Sequence, residues 1–283
     1  MDIIKTAALL LVLTLIFVLI GNLIAGQQGM IVALIFAAIM NMLTYWFSDK
    51  IVLFMYRAKP LPEQDAPKVH HIIQKLCDNS HLPKPKVYIM PIDVPNAFAT
   101  GRNPRHAAVC VTRGIMNALS DEELEGVLAH ELAHVKSRHI LLATIAATVA
   151  GAIFVLARMA QYMVMFGGRD RNKNAVMTII PLLVIAIIAP ITAMLIQLAI
   201  SRASEYQADR VGGKICGRPQ ALASALRRLD EQAHRRPMNV NPTTAHMFII
   251  NPLTAKGFAT LFMTHPPTQE RIRRLLEQAK TTG

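Results

Sequence analysis

Two histidines and a glutamate lie close together in residues 129–135. His130 and His134 are four residues apart, so on a helix their imidazoles stack on one face and can bind one metal ion. Glu131 follows the first histidine directly, where its carboxylate can act as general base on a water molecule that the metal activates. The chemistry that this spacing predicts is metal-dependent hydrolysis of peptide bonds.

The residues before the motif favour a helix. Ser120 begins Ser120-Asp121-Glu122-Glu123, a capping box with acidic residues in the first turn. Apolar residues then recur at helical spacing: Leu124, Val127, Leu128, Leu132 and Val135. The pattern predicts an amphipathic helix of about five turns that carries the motif. The alternative is a helix with two ordinary surface histidines.

A catalytic zinc ion needs a third protein ligand and an open position for water. His139 is five residues beyond His134 and is rotated off the shared face. Glu205 and Asp209 are four residues apart and share a helix face, so one carboxylate can bind zinc while the other accepts a hydrogen bond from a ligand histidine. The alternative is an exposed acidic pair with Arg202 as its salt-bridge partner.

Four apolar runs indicate a membrane protein, since 53% of the 283 residues are hydrophobic. They cover residues 7–20 (extendable to 25), 30–47, 140–157 and 175–200, and each is long enough, or nearly so, to span a membrane as a helix. The first run could instead be a cleaved signal peptide. The last two could form a hairpin that enters the membrane without crossing it.

The distribution of basic residues predicts the topology. Lys and Arg number 12 between Ser48 and His139 and 13 after Ile200, whereas residues 21–29 contain none. Both termini and the middle segment are therefore expected in the cytoplasm. Four basic residues between the last two runs oppose this topology: Arg158, Arg169, Arg171 and Lys173. The net charge of +12 suits an anionic lipid surface, and the dispersed basic residues argue against nucleic-acid binding.

The remaining sequence predicts a mixed soluble part. A helix is expected over residues 66–79, strands over 86–90, 97–100 and 107–112, and further helices over 201–215, 219–234 and 268–279. Turns are expected at 80–84 and 101–104, and a long loop at 236–265. The three cysteines have no paired spacing, which fits a reducing compartment.

Four segments, in matching order, resemble HtpX, a family of bacterial membrane-bound zinc proteases related to the eukaryotic prenyl-protein endopeptidases. They are Asn96-Ala97-Phe98-Ala99-Thr100-Gly101, His130-Glu131-Leu132-Ala133-His134, Ser201-Arg202 with Glu205-Tyr206-Gln207-Ala208-Asp209, and His265-Pro266-Pro267 before Glu270-Arg271-Ile272. The resemblance covers almost the whole chain, and the four motifs together are far more specific than any one of them.

The resemblance implies a gluzincin site, with one zinc ion per chain bound by His130, His134 and Glu205 and with Glu131 as the catalytic base. It implies that Asn96-Ala97 belongs to an edge segment that binds substrate backbone. It also implies that the protein degrades damaged or misassembled membrane proteins from the cytoplasmic side of the inner membrane.

Ligand chemistry suggests two more site residues. With Glu205 as a ligand, Asp209 lies one turn further along the helix and can orient a ligand histidine. The tetrahedral oxyanion needs a side-chain donor besides zinc, and His265 is the candidate, with a purely structural histidine before a helix as the alternative.

These observations predict an α+β membrane protein with four transmembrane helices and a mainly helical zincin domain, in the cytoplasm, that carries a small β-sheet. Residues 1–57 and 140–200 are the two predicted transmembrane hairpins, and residues 58–139 and 201–283 form the catalytic part. A membrane scaffold or transporter with a structural metal site is the rival function, but the apolar runs contain almost no ionisable groups for a transport pathway. The oligomeric state is left open.

Overall fold

The computed structural model describes residues 2–146, 148, 202–235, 248–249 and 266–282. Most of the predicted span at 140–157, all of the span at 175–200 and nearly all of the loop at 236–265 lie outside the described residues, as does His265. The division of the chain at residues 57, 139 and 200 therefore stays a prediction.

Helix α1 (Asp2–Met55) consists of two arms joined at a sharp turn. Ala25 and Gly26 leave helical geometry, and Gly26 has φ 58°, which glycine adopts without a Cβ clash. The arms pack together: the Asn41 amide donates to Thr14 Oγ1 at 2.9 Å, and the Phe17 and Phe36 rings lie 5.5 Å apart. The turn is shorter than the connector predicted over residues 21–29, because helical geometry continues on both sides of it.

The outer surface of α1 is apolar. Within the described part of the chain, the second arm (Ala25–Met55) is the one helix long and apolar enough to cross a membrane, and a shorter apolar helix, Thr6–Leu19, precedes it. Large apolar side chains of the second arm face outward, including Val32 at 67% exposure and Met42 at 64%. This arrangement matches the first predicted pair of apolar runs.

A four-stranded sheet follows α1. Its strands are β1 (Lys59–Pro60), β2 (Lys86–Met90), β3 (Ala97–Gly101) and β4 (Ala107–Thr112), in the order β1-β2-β4-β3. β2 and β4 are parallel, and the other two pairs are antiparallel. β2 and β4 have the predicted bounds, and β3 runs one residue further, to Gly101, where a turn was expected. Strand β1, the 3₁₀ turn Pro104–His106 and the short helix α3 (Arg113–Ala118) were missed because each is too short to show a period.

Four of the remaining helices lie within three residues of their predicted ends. They are α2 (Pro67–Ser80), α5 (Arg202–Cys216), α6 (Pro219–Arg235) and α7 (Thr268–Thr282). The motif helix α4 (Asp121–Lys136) begins at the predicted capping box, in which Ser120 Oγ accepts from the Glu123 N–H and Glu123 Oε2 accepts from the Ser120 N–H.

Helix α4 is the centre of the fold. It contacts α2 and β3 as well as α5 and α6. Its predicted apolar face is buried, but almost all of its other face is buried too. The prediction of an amphipathic helix was wrong in this respect, because charged and polar side chains on the second face find partners on the surrounding elements instead of water.

The second arm of α1 continues into contact with the sheet. Val52 and Leu53 pack with Phe98 of β3 in a separate apolar cluster, and the Tyr56 ring lies 5.2 Å from the Phe98 ring. The Arg102 guanidinium, directly after β3, lies over the Trp46 ring at 4.3 Å. Strand β3 is therefore held directly against the apolar hairpin.

Candidate metal centre and active site

Three side chains from two helices meet at one point. His130 and His134 come from α4, and Glu205 comes from α5. The two Nε2 atoms are 3.2 Å apart, and His134 Nε2 lies 3.3 Å from Glu205 Oε1. Tetrahedral zinc with bonds of about 2.0–2.1 Å separates neighbouring ligand atoms by roughly 3.3 Å. Two imidazole nitrogens face each other favourably only with a cation or a proton between them, so this donor set fits a metal ion.

A close helix crossing brings Glu205 to the histidines. At Gly212 of α5, a Cβ atom would lie 2.9 Å from the Cα and backbone N of His130, so only glycine allows the two backbones to come this near. Glu205 and Asp209 precede Gly212 on the same helix and face the histidine pair. Both are 3% exposed.

Asp209 lies behind His130, with Oδ1 at 3.0 Å from the histidine Nδ1. The same carboxylate accepts from Arg271 of α7 twice, from Nε to Oδ2 at 2.8 Å and from Nη2 to Oδ1 at 2.7 Å. Burial alone would raise the pKa of Asp209, but the charge and hydrogen bonds of Arg271 outweigh it and hold that pKa well below its usual range. An ionised Asp209 favours a proton on Nδ1 of His130, which leaves Nε2 free to bind a metal.

Two more groups of the centre have shifted pKa values. Burial raises the pKa of Glu131, and the neighbouring His130 and His134 offset only part of that effect. For His134, burial alone would lower the pKa, but hydrogen bonding and attraction to Glu205 raise it above the ordinary value. Shifted pKa values of this kind, produced by burial and close charge partners, are typical of functional sites.

Glu131 connects the motif helix to the sheet. The residue is 7% exposed, and its carboxylate Oε2 accepts from the backbone N–H of Ala99 at 2.9 Å. The carboxylate therefore lies between the metal trio, two members of which share its helix, and the edge strand β3.

Strand β3 turns one side of its backbone away from the sheet. The Thr112 N–H donates to the Asn96 carbonyl, so alternate residues from Asn96 onward pair with β4 and the residues between them, starting with Ala97, face outward. The Ala99 N–H accordingly reaches Glu131, and the Gly101 N–H reaches Thr144 Oγ1 at 3.3 Å. Asn96 and Ala97, the predicted substrate-binding pair, are both fully buried at the start of this edge.

The alternative ligand His139 lies apart from the trio. Helix α4 ends at Lys136, and the chain turns at Arg138, which has φ 59°. The His139 ring lies 5.8 Å from the His134 ring, and the metal-binding group among the described residues does not include it. His265, the predicted oxyanion donor, lies outside the described residues.

Sequence reasoning assigned no role to Arg271 or Ile249. Arg271 is 2% exposed, although it stands beside the exposed Arg273 and Arg274 in a helix whose sequence reads as mostly polar. Its position in the His265-Pro266-Pro267…Arg271 segment was the only available signal. Ile249 had no signal at all, because it acts here through backbone groups.

This site has the features of a metal-dependent hydrolase. It combines a trio of possible metal ligands, a buried carboxylate beside the trio and an outward-facing edge strand. A structural zinc site is usually closed by four protein ligands, whereas the described residues supply three. The rival scaffold function receives no support from this geometry.

Comparisons with known proteins agree with that class. Residues 63–279 match the family model "Peptidase family M48". The chain is 53% identical to a Protease HtpX homolog of Persephonella marina, covering 100% of this chain and 99% of that protein. It is 54% identical to a Protease HtpX homolog of Aquifex aeolicus, covering 93% and 89% respectively.

Among solved structures, the crystal structure of S. mikatae Ste24p aligns with a TM-score of 0.53 and 21% sequence identity. The alignment covers 97% of this chain, which spans 65% of the Ste24p chain, and at this identity the likeness is one of fold. The chain belongs to Peptidase family M48, and it is a metalloprotease. The family resemblance inferred from the four sequence motifs is confirmed.

Proposed function

We propose that the chain is a zinc-dependent endopeptidase in which His130, His134 and Glu205 bind the metal. The observation that carries this proposal is the spacing of the trio, with nearest donor atoms 3.2 and 3.3 Å apart. Three nitrogen and oxygen donors with an open fourth position are the ligand set of catalytic zinc. Zinc, when bound, acts as a Lewis acid that lowers the pKa of water and polarises the scissile carbonyl.

Glu131 is the proposed general base. It accepts a proton from the attacking water and passes it to the leaving amine, which requires a carboxyl group that can hold and release a proton near neutral pH. The burial that raises its pKa suits this exchange. The Ala99 N–H holds Oε2 and so fixes the orientation of the carboxylate.

Substrate backbone is proposed to bind along the outer edge of β3, beginning at Asn96 and Ala97. A peptide added there as a further strand gains main-chain hydrogen bonds with little choice of sequence. Two outward N–H groups of β3 already have partners: the Ala99 N–H donates to the catalytic carboxylate, and the Gly101 N–H donates to Thr144 Oγ1. The available edge is therefore short and ends where the third apolar run begins.

His265 remains the proposed donor to the oxyanion. Its support is positional: it directly precedes Pro266 and Pro267, from which α7 starts, and α7 carries Arg271 into the centre. Asp209 is proposed to orient His130 through the 3.0 Å contact with Nδ1.

The cellular setting is proposed to be the bacterial inner membrane, with four spans and a cytoplasmic active site. The exposed apolar surface of α1 and the excess of Lys and Arg in the two catalytic segments support it. The proposed substrates are damaged or misfolded membrane proteins. The contact of β3 with α1 supports this choice, because it keeps the substrate edge close to the membrane helix.

Metal analysis and a protease assay test the chemistry. The detergent-purified chain should contain about one zinc ion and should cleave casein, and a chelator should abolish cleavage until zinc is restored. A chain that cleaves casein equally well after its metal is removed would contradict the proposal.

Cysteine labelling tests the topology. Single cysteines introduced at residues 26–28 and 169–173 can be read separately, because the three native cysteines are buried. Labelling of both sites from outside the cell supports four spans. Protection of the second site alone would favour a re-entrant hairpin and explain the four basic residues between the last two apolar runs.

A further inference from the structure

Arg271 joins parts of the active site that are far apart in sequence. It is 2% exposed, and its Nε and Nη2 atoms hold both oxygens of Asp209. Its remaining terminal nitrogen, Nη1, donates to the carbonyl oxygen of Ile249 at 3.0 Å. All three guanidinium nitrogens thus have a partner within the buried site.

Ile249 connects Arg271 to the sheet. Its backbone N–H donates to the side-chain oxygen of Asn96 at 3.2 Å, so one peptide residue is held between Arg271 and Asn96. Asn96 is itself fixed to β4 by two bonds with Thr112, one to each backbone group. A continuous series of hydrogen bonds therefore runs from Asp209, behind the metal ligands, to the start of the substrate edge.

We propose that Arg271 is a positioning residue that sets both halves of the active site: through Asp209 it orients His130, and through Ile249 it holds Asn96 at the start of β3. The inference rests on the proposed function, since it takes the ligands and the substrate edge as assigned there. Arginine suits this role because its planar fork presents several donors in fixed directions, whereas lysine presents one compact charge.

The geometry also explains why a charged residue, Arg271, occupies a buried position. Asp209 without Arg271 would be an uncompensated buried carboxylate, and the Ile249 carbonyl would lose its donor. An apolar residue could fill the space but could satisfy neither group. The two connections of Arg271 are therefore separable by substitution.

Three changes separate them. Arg271→Lys keeps a positive charge for Asp209 but loses the fork that reaches Ile249. Asp209→Asn weakens the link to His130 and leaves the Ile249 bond in place. Asp209→Asn combined with Arg271→Met removes both links and both charges of the pair, and it also removes the Arg271 Nη1 atom that lies 3.9 Å from Glu205 Oε2. Arg273→Met is the matched control, because the exposed Arg273 lies two residues along the same helix and, among the described residues, pairs with Glu270 and Glu277 of its own helix.

Each full-length variant, in detergent, is measured for zinc affinity against a competing chelator and for kcat and KM on a fluorogenic peptide. The visible spectrum of the cobalt-substituted protein adds a readout of ligand geometry that does not depend on turnover. We expect Asp209→Asn to lower zinc affinity about 10–100-fold. We expect Arg271→Lys to raise KM about tenfold with a smaller change in zinc affinity. The combined variant should show both defects, and Arg273→Met neither.

A double-mutant cycle with Asn96→Ala decides whether Ile249 carries the coupling. Because both residues act through one peptide, Arg271→Lys should add little to the KM defect of Asn96→Ala. Multiplied defects, or an unchanged KM in Arg271→Lys, would overturn the inference. If Arg271→Lys fails to fold, the combined variant decides, and its wild-type zinc affinity and KM would overturn it equally. A wild-type chain that binds no zinc or cleaves no peptide would instead refute the proposed function.

Discussion

The α1 hairpin and the metal centre depart from the usual distribution of side chains in opposite directions. In the hairpin, large apolar residues such as Val32 and Met42 face outward. In the metal centre, charged residues such as Glu205 and Asp209 are buried. Neither arrangement is favourable in water by itself, since exposed apolar surface and buried charge both cost free energy. The hairpin surface is therefore suited to lipid. The charges of the centre need partners, which are Arg271 for Asp209 and, as proposed, a cation for the trio that includes Glu205.

The two regions also differ in how their stability is distributed. The hairpin depends on many small contacts along two helices, and the described hydrogen bonds between them come from the Asn41 amide, to Thr14 and to the Leu10 carbonyl. The centre depends on a few charged contacts that share partners, such as Arg271, Asp209 and His130. Substitutions in the hairpin should therefore have small, nearly additive effects, and substitutions in the centre should have large, coupled ones.

The largest effect is expected from His130→Ala or His134→Ala. Either change removes a donor from the trio, so bound zinc and casein cleavage should both fall to the level of the chelator-treated wild type. Metal content and activity of the purified variants check this. If both variants kept stoichiometric zinc, His130 and His134 would not be the metal ligands.

Glu131→Gln should lower cleavage by about 10²–10⁴-fold while zinc stays bound, because the side chain acts on a proton and is not a ligand. The amide oxygen can still accept from the Ala99 N–H, so the fold at β3 should be kept. Metal analysis beside the assay separates the two roles. A stoichiometric loss of zinc would show that the assignment as base is wrong.

Glu205→Ala and Asp209→Ala should differ in degree. Loss of a ligand should weaken zinc binding severely, whereas loss of the group behind His130 should cost roughly 10–100-fold in affinity or activity. Zinc titration against a chelator gives both values. Asp209→Ala emptying the site while Glu205→Ala leaves it loaded would mean that the two roles are exchanged, and no effect of either would make His139 the ligand to test.

Asn41→Leu should have a much smaller effect in the hairpin. The change removes the 2.9 Å bond to Thr14 and the weaker 3.4 Å bond to the Leu10 carbonyl, and interhelical hydrogen bonds between membrane helices contribute about 0.6 kcal/mol each on average. Thermal unfolding in detergent measures it, and Thr14→Val is the matched partner for a double-mutant cycle. A loss of stability as large as that of a metal-centre variant, measured in the same way, would contradict the contrast between the regions.

The smallest effect is expected at the exposed ion pair Lys68–Asp121, whose side chains are 76% and 66% exposed. Lys68→Ala should change the free energy of unfolding by about 0–1 kcal/mol and leave zinc content and cleavage unaltered. Chemical denaturation and the casein assay test this. A marked loss of activity would show that this surface ion pair matters for catalysis, as the charged contacts of the metal centre do.

The local sequence determined the helices longer than α3, three of the four strands and the motif. Spacing of four residues puts His130 and His134 on one face whatever surrounds the helix, and Ser120 with Glu123 caps its start through contacts within one turn. The spacing of Glu205 and Asp209 similarly put both on one face of α5. Such features depend on neighbours along the chain, so the sequence displays them directly.

Only the tertiary structure decided which helix faces contact each other. The approach at Gly212 brings Glu205 to histidines 71 and 75 residues earlier in the chain, and the burial of both faces of α4 depends on elements from either side of it. Arg271 looks in sequence like Arg273, yet one is buried against Asp209 and the other is exposed. Ile249 contributes through its backbone, which has the same polar groups at almost every residue. Contacts of this kind depend on distances between remote segments, and those distances exist only in the folded chain.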